Sequence, residues 1–192
     1  MKQGVKIAII GPESTGKTQL AKELALMYDG FHVPEYARAF IANLQRPYTY
    51  NDVVTIAEKI IEDWNNHLAS VQPVFFDTEM ILTKIWFEVA FNKTPSNIQT
   101  WIETMQFDAF LLCKDDLPWI PDPVRENGGA MRKILFNKYR DEIEKTSTPY
   151  AIIEGSNAER LKNAAKALSQ LTTLPDLSDN AQQVHIRPNP RP

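Results

Sequence analysis

The residues best suited to chemistry form one short stretch near the start of the chain. Residues 11–18 read Gly-Pro-Glu-Ser-Thr-Gly-Lys-Thr, which fits the phosphate-binding pattern G-x-x-x-x-G-K-[ST]. The two glycines let the backbone fold around an anion, and the N-terminus of a following helix adds partial positive charge there. In this pattern Lys17 reaches the β- and γ-phosphates of ATP, and Thr18 offers its hydroxyl to Mg²⁺. The predicted ATP contacts are Gly11, Pro12, Glu13, Ser14, Thr15, Gly16, Lys17 and Thr18.

The sequence on either side supports this interpretation over a chance match. Residues 5–10 are mostly apolar and β-branched, as in a buried strand. Residues 19–28 carry apolar side chains at helical spacing, beginning with Leu20, Ala21 and Leu24. A phosphate-binding loop needs a strand before it and a helix after it, so nucleotide binding is predicted here.

Strands and helices alternate along the rest of the chain. We predict five strands, at residues 5–10, 31–33, 73–76, 107–113 and 150–153. We predict helices at about 17–28, 36–44, 53–71 (capped by Asn51 or Asp52, with Leu68 buried), 80–91, 96–104, 131–146 and 157–171. This alternation is typical of a parallel sheet covered on both faces, so the fold class is a three-layer α/β fold with a five-stranded parallel sheet.

The chain is expected to form one main domain, residues 1–174. Residues 114–129 hold three prolines and two glycines, so they are predicted to be a loop, the main part of a lid at about 114–132. Residues 175–192 are polar, contain prolines and lack apolar periodicity, so they are predicted to be a weakly structured tail.

Ligands of open parallel sheets bind beyond the carboxyl ends of the strands. Asp77 follows the third strand, where an acid would hold Mg²⁺ or take a proton from a substrate hydroxyl; capping the next helix is its alternative role. Glu35 follows the second strand and would bind ribose hydroxyls or act as general base, unless it is an exposed first-turn glutamate. Arg38 would pair with Glu35 or meet a phosphate.

Two arginines flank the glycine pair of the predicted lid. Arg125 and Arg132 could neutralise the transferring phosphoryl group when the lid closes; otherwise they belong to a solvated loop.

Aromatic and polar side chains near the other loops could contact the ligands. Trp119, Tyr36 and Trp64 could stack on a flat, cationic ring such as nicotinamide, or could simply pack in the fold. Asn157 and Arg160 follow the fifth strand and could touch adenine, or could serve as surface capping residues.

Composition restricts the class of protein. The 192 residues are 43% hydrophobic, with a net charge of −3 and a pI of about 5.7, which does not favour a nucleic-acid partner. No apolar run is long enough for a membrane span, no signal peptide is evident, and the lone Cys113 is expected in the core, so a cytoplasmic location is predicted. The histidines have no metal-ligand spacing.

Four motifs occur in an order that is found in one family. They are residues 11–18, Val-Pro-Glu-Tyr-Ala-Arg at 33–38, Phe-Phe-Asp-Thr-Glu at 75–79 and Pro-Trp-Ile-x-Asp-x-x-Arg at 118–125. The chain resembles the ribosylnicotinamide kinase domain of the NadR type over about residues 4–171. The resemblance implies a P-loop nucleoside/nucleotide-kinase-like fold and transfer of the ATP γ-phosphate to the 5′-hydroxyl of nicotinamide riboside, giving nicotinamide mononucleotide.

The resemblance also implies roles for particular positions. The 11–18 loop would bind ATP and Mg²⁺, Glu35 and Asp77 would lie around the ribose and the metal, and Arg125 and Arg132 would lie in the lid. We favour Asp77, with Thr18, for the metal and as base, and Glu35 for the ribose.

The chain departs from the family in two respects, and two alternatives stay open. The His-x-Gly-His signature of an adenylyltransferase and a DNA-binding module are both absent from this sequence, so neither activity is carried over. Pro34 stands where some relatives have an aromatic residue suited to stacking on nicotinamide. The alternatives are a kinase for another nucleoside or nucleotide, and a non-catalytic ATP-binding sensor.

Overall fold

A parallel sheet of five strands forms the centre of the computed structural model, which describes residues 3–121 and 127–185. The strands are β1 (Lys6–Ile10), β2 (Phe31–Val33), β3 (Val74–Asp77), β4 (Ala109–Cys113) and β5 (Tyr150–Ile153). Their order in the sheet is β2-β3-β1-β4-β5, and every pairing is parallel. The predicted five-stranded parallel sheet is confirmed.

Helices cover both faces of this sheet. They are α1 (Lys17–Met27), α2 (Tyr36–Ala42), α3 (Tyr50–Asn66), α4 (Met80–Phe91), α5 (Ile98–Thr104), α6 (Ala130–Ile143), α7 (Asn157–Leu171) and α8 (Ala181–His185). A 3₁₀ turn, Ser178–Asn180, precedes α8. In the described part of the chain, no helix has the length and apolar character needed to cross a membrane.

The strands divide their side chains between two hydrophobic cores. In β1, Ala8 and Ile10 point to the core that contains α3, α4 and α6, whereas Ile7 and Ile9 point to the core that contains α1 and α7. All five residues of β1 are buried. Because β1 is a central strand that is buried on both faces, its sequence is almost continuously apolar. This is the pattern from which the strand was predicted.

The register of the sheet aligns the strand ends that form the site. Ile9 pairs with Asp77 of β3, and Ile10 pairs with Leu112 of β4. The carboxyl ends of β1, β3 and β4 therefore lie at one edge, with Asp77 beside the start of the 11–18 loop.

The bounds predicted for α3 are wrong at both ends. Thr49 caps the helix: its side chain accepts a hydrogen bond from Asp52 N–H, and Asp52 accepts one from Thr49 N–H in return. This capping box starts α3 before the predicted caps Asn51 and Asp52. The helix ends at Asn66, and Leu68, which was predicted to be buried, is exposed.

The prediction of a weakly structured tail is wrong for residues 178–185, which form the 3₁₀ turn and α8. Ala181 is buried, and Leu177 and Val184 pack against the same core as α1 and α7. Tyr28 on the loop after α1 donates a hydrogen bond from its hydroxyl to the carbonyl of Pro175, at 3.1 Å. The segment therefore packs on the side of the sheet that α1 and α7 cover.

Candidate active site

The 11–18 loop has the backbone geometry that its glycines predicted. Gly11 and Gly16 have φ angles of 149° and 76°, in a region where L-residues are strained. A side chain at position 11 would also bring its Cβ within 2.6 Å of the carbonyl oxygen of Cys113. Gly16 is the cap residue of α1, so the helix N-terminus directly follows the loop.

Two side chains of the loop bond back to its own backbone. Lys17 donates from Nζ to the carbonyl of Pro12 at 2.8 Å, and the Thr15 hydroxyl donates to the same carbonyl at 2.8 Å. The ammonium of Lys17 therefore lies against the loop, and Lys17 also lines a cavity.

Asp77 is the residue whose surroundings fit a metal site. Its side chain is buried, and within the described residues neither carboxylate oxygen accepts a hydrogen bond of ordinary geometry. Burial raises the pKa of Asp77, whereas the nearby Lys17 ammonium and Thr18 hydroxyl lower it. Carboxylate oxygens without partners beside a hydroxyl are suitable ligands for Mg²⁺, which needs few protein ligands when phosphates and water complete its shell.

Glu79, rather than Asp77 or Thr78, caps α4. Its carboxylate accepts hydrogen bonds from the N–H groups of Ile81 at 2.7 Å and Leu82 at 3.1 Å. Burial raises the pKa of Glu79 to about 7. The alternative that Asp77 serves as a helix cap is therefore excluded, and its carboxylate is left for other partners. Sequence reasoning missed this cap, although an acid directly before the helix was the available signal.

Glu35 and Arg38 form an ion pair, which was one of the two roles predicted for Arg38. The Nε of Arg38 lies 3.6 Å from Oε2 of Glu35. Burial raises the pKa of Glu35, the Lys17 ammonium lowers it, and the carboxylate of Asp77 raises it. The charge of Lys17 therefore lowers the pKa of both Glu35 and Asp77. The three groups lie close together at one edge of the sheet.

A cavity of about 160 Å³ extends from Lys17 between the helices on one face of the sheet. Its lining is partly polar and partly apolar. The polar lining residues are Glu13, Lys17, Glu35, Arg38, Thr78, Thr83, Asn127 and Tyr139. The apolar and aromatic lining residues are Ala37, Ile41, Tyr48, Ile56, Ile60, Leu82, Trp86, Val89 and Leu135.

The aromatic residues of this cavity differ from those predicted. Trp64 is only 2% exposed and packs against Phe76 and Phe107 at ring-centroid distances of 5.5 and 4.9 Å. The expectation that Trp64 faces the ligand is therefore wrong: its position on α3 turns it into the core.

Tyr36 and Trp119 are likewise not among the described residues that line the cavity. The Tyr36 ring packs on Phe40 at 5.6 Å. The ring of Trp119 lies against Gly128, where an added Cβ would be 3.0 Å from it. Stacking of either residue on a ligand stays a prediction. The cavity is instead lined by the aromatic residues Tyr48, Trp86 and Tyr139, which were not predicted as site residues from the sequence.

Arg132, predicted to lie in the lid, is a buried link between two loops. Its guanidinium donates to the carbonyl of Leu117 at 2.9 Å and to that of Ser14 at 3.3 Å. The Ser14 hydroxyl also accepts a hydrogen bond from Ile120 N–H, at 3.2 Å. The segment after β4 is thus attached to the phosphate-binding loop. Arg125 lies outside the described residues.

Arg160 is buried beside Gly16 of the phosphate-binding loop. Its guanidinium donates to the carbonyls of Gly155 at 2.8 Å and Ile153 at 3.1 Å, and it pairs with Asp116. The reading of Arg160 as a surface capping residue is wrong, because the side chain joins the loops after β4 and β5. Asn157 is exposed at the start of α7, and its contact with adenine stays a prediction.

The strand order, the glycine-shaped phosphate-binding loop and the buried acid on the adjacent strand define a P-loop nucleotide-binding protein. Its fold is that of nucleoside kinases: deoxyadenosine kinase from M. mycoides aligns with a TM-score of 0.62 at 13% identity, covering 86% of this chain and all of that one. The chain belongs to the AAA domain family, whose profile matches residues 6–160.

Sequence comparison relates the chain to NadR. It is 23% identical over 145 residues to the trifunctional NAD biosynthesis/regulator protein NadR of Salmonella typhimurium, covering 72% of this chain and 35% of that protein. A crystal structure of NadR protein in complex with NR aligns with a TM-score of 0.71 at 18% identity, covering 90% of this chain and 52% of that one. The chain therefore spans only about a third of the curated relative and half of that solved chain.

Proposed function

We propose that this protein is a kinase that transfers the γ-phosphate of ATP to a hydroxyl of a small nucleoside. The observation that carries the proposal is the cavity beside the phosphate-binding loop, which is lined both by polar residues such as Lys17 and by apolar ones such as Trp86. A nucleoside likewise combines a polar part, its ribose, with a flat and largely apolar part, its base. Bound with its base against the apolar lining, it would bring its 5′-hydroxyl toward the phosphate-binding loop.

On the donor side, the residues of the loop would bind and orient the triphosphate. Backbone N–H groups and the start of α1 would hold phosphate oxygens, and Lys17 would move from the Pro12 carbonyl to the phosphates. Mg²⁺, held by Thr18 and Asp77, would neutralise the charge that the phosphates carry. Arg132 would act indirectly, by keeping the loop at Ser14 in place.

On the acceptor side, the buried carboxylate of Asp77 and the half-buried carboxylate of Glu35 would orient the hydroxyl and receive its proton. Burial raises the pKa values of both Glu35 and Asp77, which brings each nearer to the range useful for a general base at neutral pH. Asp77 would combine contact with the metal and the role of base, whereas Glu35, held by Arg38, would bind ribose hydroxyls.

Within this class we propose nicotinamide riboside as the acceptor and nicotinamide mononucleotide as the product. The motif resemblance and the relationship to NadR, one structure of which is a complex with NR, support this choice. The rival acceptors are other nucleosides, as the fold is shared with a deoxyadenosine kinase.

The test is a panel of nucleosides incubated with ATP, Mg²⁺ and the purified protein. Nicotinamide riboside, cytidine, uridine, adenosine and deoxyadenosine would be compared by mass spectrometry of the monophosphate formed. We expect the highest kcat/KM with nicotinamide riboside. A better rate with another nucleoside would replace this acceptor.

A matched pair of variants connects the activity to the site. Asp77→Asn should remove monophosphate formation, and Asp141→Asn, on the exposed face of α6, should leave it unchanged. Binding of ATP without turnover of any nucleoside by the wild-type protein would favour the ATP-binding sensor instead.

A further inference from the structure

We infer that Thr78 is a positioning residue, whose strained backbone fixes the direction of the Asp77 carboxylate in the site. This inference rests on the proposed kinase function and extends it to a residue outside the phosphate-binding loop. It comes from the link between β3 and α4, which consists of Thr78 and Glu79 alone.

Thr78 has a backbone conformation that is rare for its residue type. Its φ angle is 83°, in the left-handed region that a residue with a branched Cβ seldom occupies. Three other non-glycine residues with positive φ in the described part of the chain are Asp29, Asn92 and Asn157, whose residue types tolerate this region. A threonine at such an angle is strained, so the surrounding structure must hold it there.

Hydrogen bonds hold this link at both of its ends. The Thr78 N–H donates to the carbonyl of Ile9 in β1, at 3.2 Å, and so continues the sheet beyond β3. On the helix side, the Glu79 carboxylate accepts from the N–H groups of Ile81 and Leu82. The backbone of Glu79 is itself extended, with φ −158° and ψ −173°. With both sides fixed, the change of direction from strand to helix falls on Thr78.

The carboxylate of Asp77 has little else to determine its direction. Among the described residues, neither of its oxygens accepts a hydrogen bond of ordinary geometry. Its orientation therefore depends on its own backbone, which the pairing with Ile9 holds on one side and Thr78 holds on the other. A misplacement of about 1 Å in an active site can lower turnover by about 100-fold. A stiff backbone at position 78 therefore matters for catalysis.

A glycine at position 78 would relieve the strain but would also widen the range of backbone angles. Residues with a Cβ have only a small allowed area at positive φ, whereas glycine moves freely through this region. The side chain of Thr78 is buried at the wall of the cavity, so its branched Cβ has little room to follow another backbone path. The threonine therefore leaves Asp77 less freedom than a glycine would.

The test compares alanine with glycine at position 78, because both remove the hydroxyl and methyl groups and only alanine keeps a Cβ. The Tm of Thr78→Gly should exceed that of Thr78→Ala by about 2–4 °C, since glycine relieves the strain. The same pair at Thr55, an exposed position inside α3, is the control. There glycine should lower Tm by about 2–4 °C relative to alanine, because it weakens a helix.

Turnover should change in the opposite direction to stability. We expect kcat of Thr78→Gly, with the best acceptor of the nucleoside panel, to be roughly tenfold below that of Thr78→Ala. KM values should be similar, since Asp77 acts on the reaction more than on binding. Thr78→Ser, which keeps the Cβ and the hydroxyl, should retain most of the wild-type kcat. A residue that only supported the fold would lower stability and turnover together.

A binding measurement tests the same point without turnover. If Asp77 holds Mg²⁺ beside the phosphates, Mg²⁺ should raise the affinity for AMP-PNP, measured by calorimetry with the metal and with EDTA. This increase should be smaller by roughly tenfold in Thr78→Gly than in Thr78→Ala, because the ligating carboxylate is less well oriented. In the Asp77→Asn background, glycine and alanine at position 78 should give equal affinities, since the coupling acts through Asp77.

The outcomes separate this inference from the proposed function. Equal kcat values for Thr78→Ala and Thr78→Gly, or a lower Tm for Thr78→Gly, would overturn the inference while leaving the kinase intact. A Thr78→Gly variant that does not fold would overturn it too; if Thr78→Ala does not fold, Thr78→Ser replaces it. No product from any nucleoside with the wild-type protein would overturn the proposed function, and the Tm and AMP-PNP measurements would then decide the inference.

Discussion

Asn127 donates two hydrogen bonds to Glu13, which lies 114 residues earlier in the chain. Its backbone N–H bonds to Oε2 at 3.1 Å and its side-chain amide bonds to Oε1 at 3.1 Å. Ser14, the residue after Glu13, forms hydrogen bonds with the backbone of Ile120 through its hydroxyl. Two variable positions of the phosphate-binding pattern therefore form hydrogen bonds with Ile120 and Asn127, which lie in the segment before α6 in the chain.

Glu13→Ala should detach this segment. Hydrogen bonds to charged groups contribute about 1.5–3 kcal/mol each, so protection of the Asn127 amide against hydrogen exchange should fall by roughly tenfold or more. Under the proposed function, kcat/KM for the acceptor should fall as well. Glu58→Ala, an exposed residue of α3, is the control. Unchanged protection in Glu13→Ala would show that the two hydrogen bonds do not hold the segment.

Asp77→Asn should separate stability from activity. The buried carboxylate lacks ordinary hydrogen-bond partners among the described residues, so a neutral group of the same shape removes a desolvated charge. We expect product formation to fall by about 100-fold or more, while Tm rises by about 2–4 °C, equivalent to about 1 kcal/mol. Calorimetry and turnover measured on the same preparation, beside Asp141→Asn, check both effects. A variant that is less stable and still active would contradict this account of Asp77.

Thr49→Ala should destabilise the protein and loosen the acceptor site. Loss of an N-cap costs about 0.5–2 kcal/mol in the free energy of unfolding, which urea titration would measure. The same substitution at Thr55, an exposed position inside α3, should cost much less because alanine favours the helix interior. KM for the acceptor should rise in Thr49→Ala, since Tyr48 adjoins the cap. Equal costs at the two positions would exclude a capping role for Thr49.

Glu79 should make the protein less stable as the pH rises. Its carboxyl loses its proton near pH 4.5 in the unfolded chain but near pH 7 in the native state. Between these values the native state binds more protons, so the free energy of unfolding falls with increasing pH, by on the order of 3 kcal/mol. Burial raises the pKa values of Glu35 and Asp77 in the same direction, so the measurement is the difference between wild type and Glu79→Gln.

Urea titrations at several pH values would show this difference as a shallower decline in Glu79→Gln between pH 4.5 and 7. Glu58→Gln should follow the wild-type curve because Glu58 is exposed. Parallel curves for wild type and Glu79→Gln would mean that Glu79 has no raised pKa in the native protein.

Much of the donor side could be predicted from the sequence because it depends on local rules. The spacing of Gly11, Gly16 and Lys17 is tied to the conformation of a single loop, and the flanking strand and helix follow from periodicity. Asp77 could be placed because parallel strands end at a common edge of the sheet. Its role could not be predicted, because the alternative role as a helix cap was excluded only by the structure, in which Glu79 caps α4.

The acceptor side could not be predicted in the same way. Trp64 lies on the amphipathic α3 and Trp86 on the largely apolar α4, yet Trp64 is buried against Phe76 and Trp86 lines the cavity. That difference depends on how α3 and α4 are rotated against the sheet and against each other, which is a property of packing. Likewise, Arg132 was predicted to act in the lid and Arg160 to touch adenine or to cap a helix at the surface, but in the structure both guanidinium groups donate to backbone carbonyls.

The sequence by itself therefore determined the parallel sheet, the phosphate-binding loop and the acid beside it, because each follows from backbone conformation or from the alternation of strands and helices. Only the tertiary structure decided which aromatic residues line the cavity, which residue caps α4 and which distant residues form hydrogen bonds with the loop. These features join positions far apart in the chain, such as Glu13 and Asn127, and the side chains that meet there are determined by the packing of whole helices.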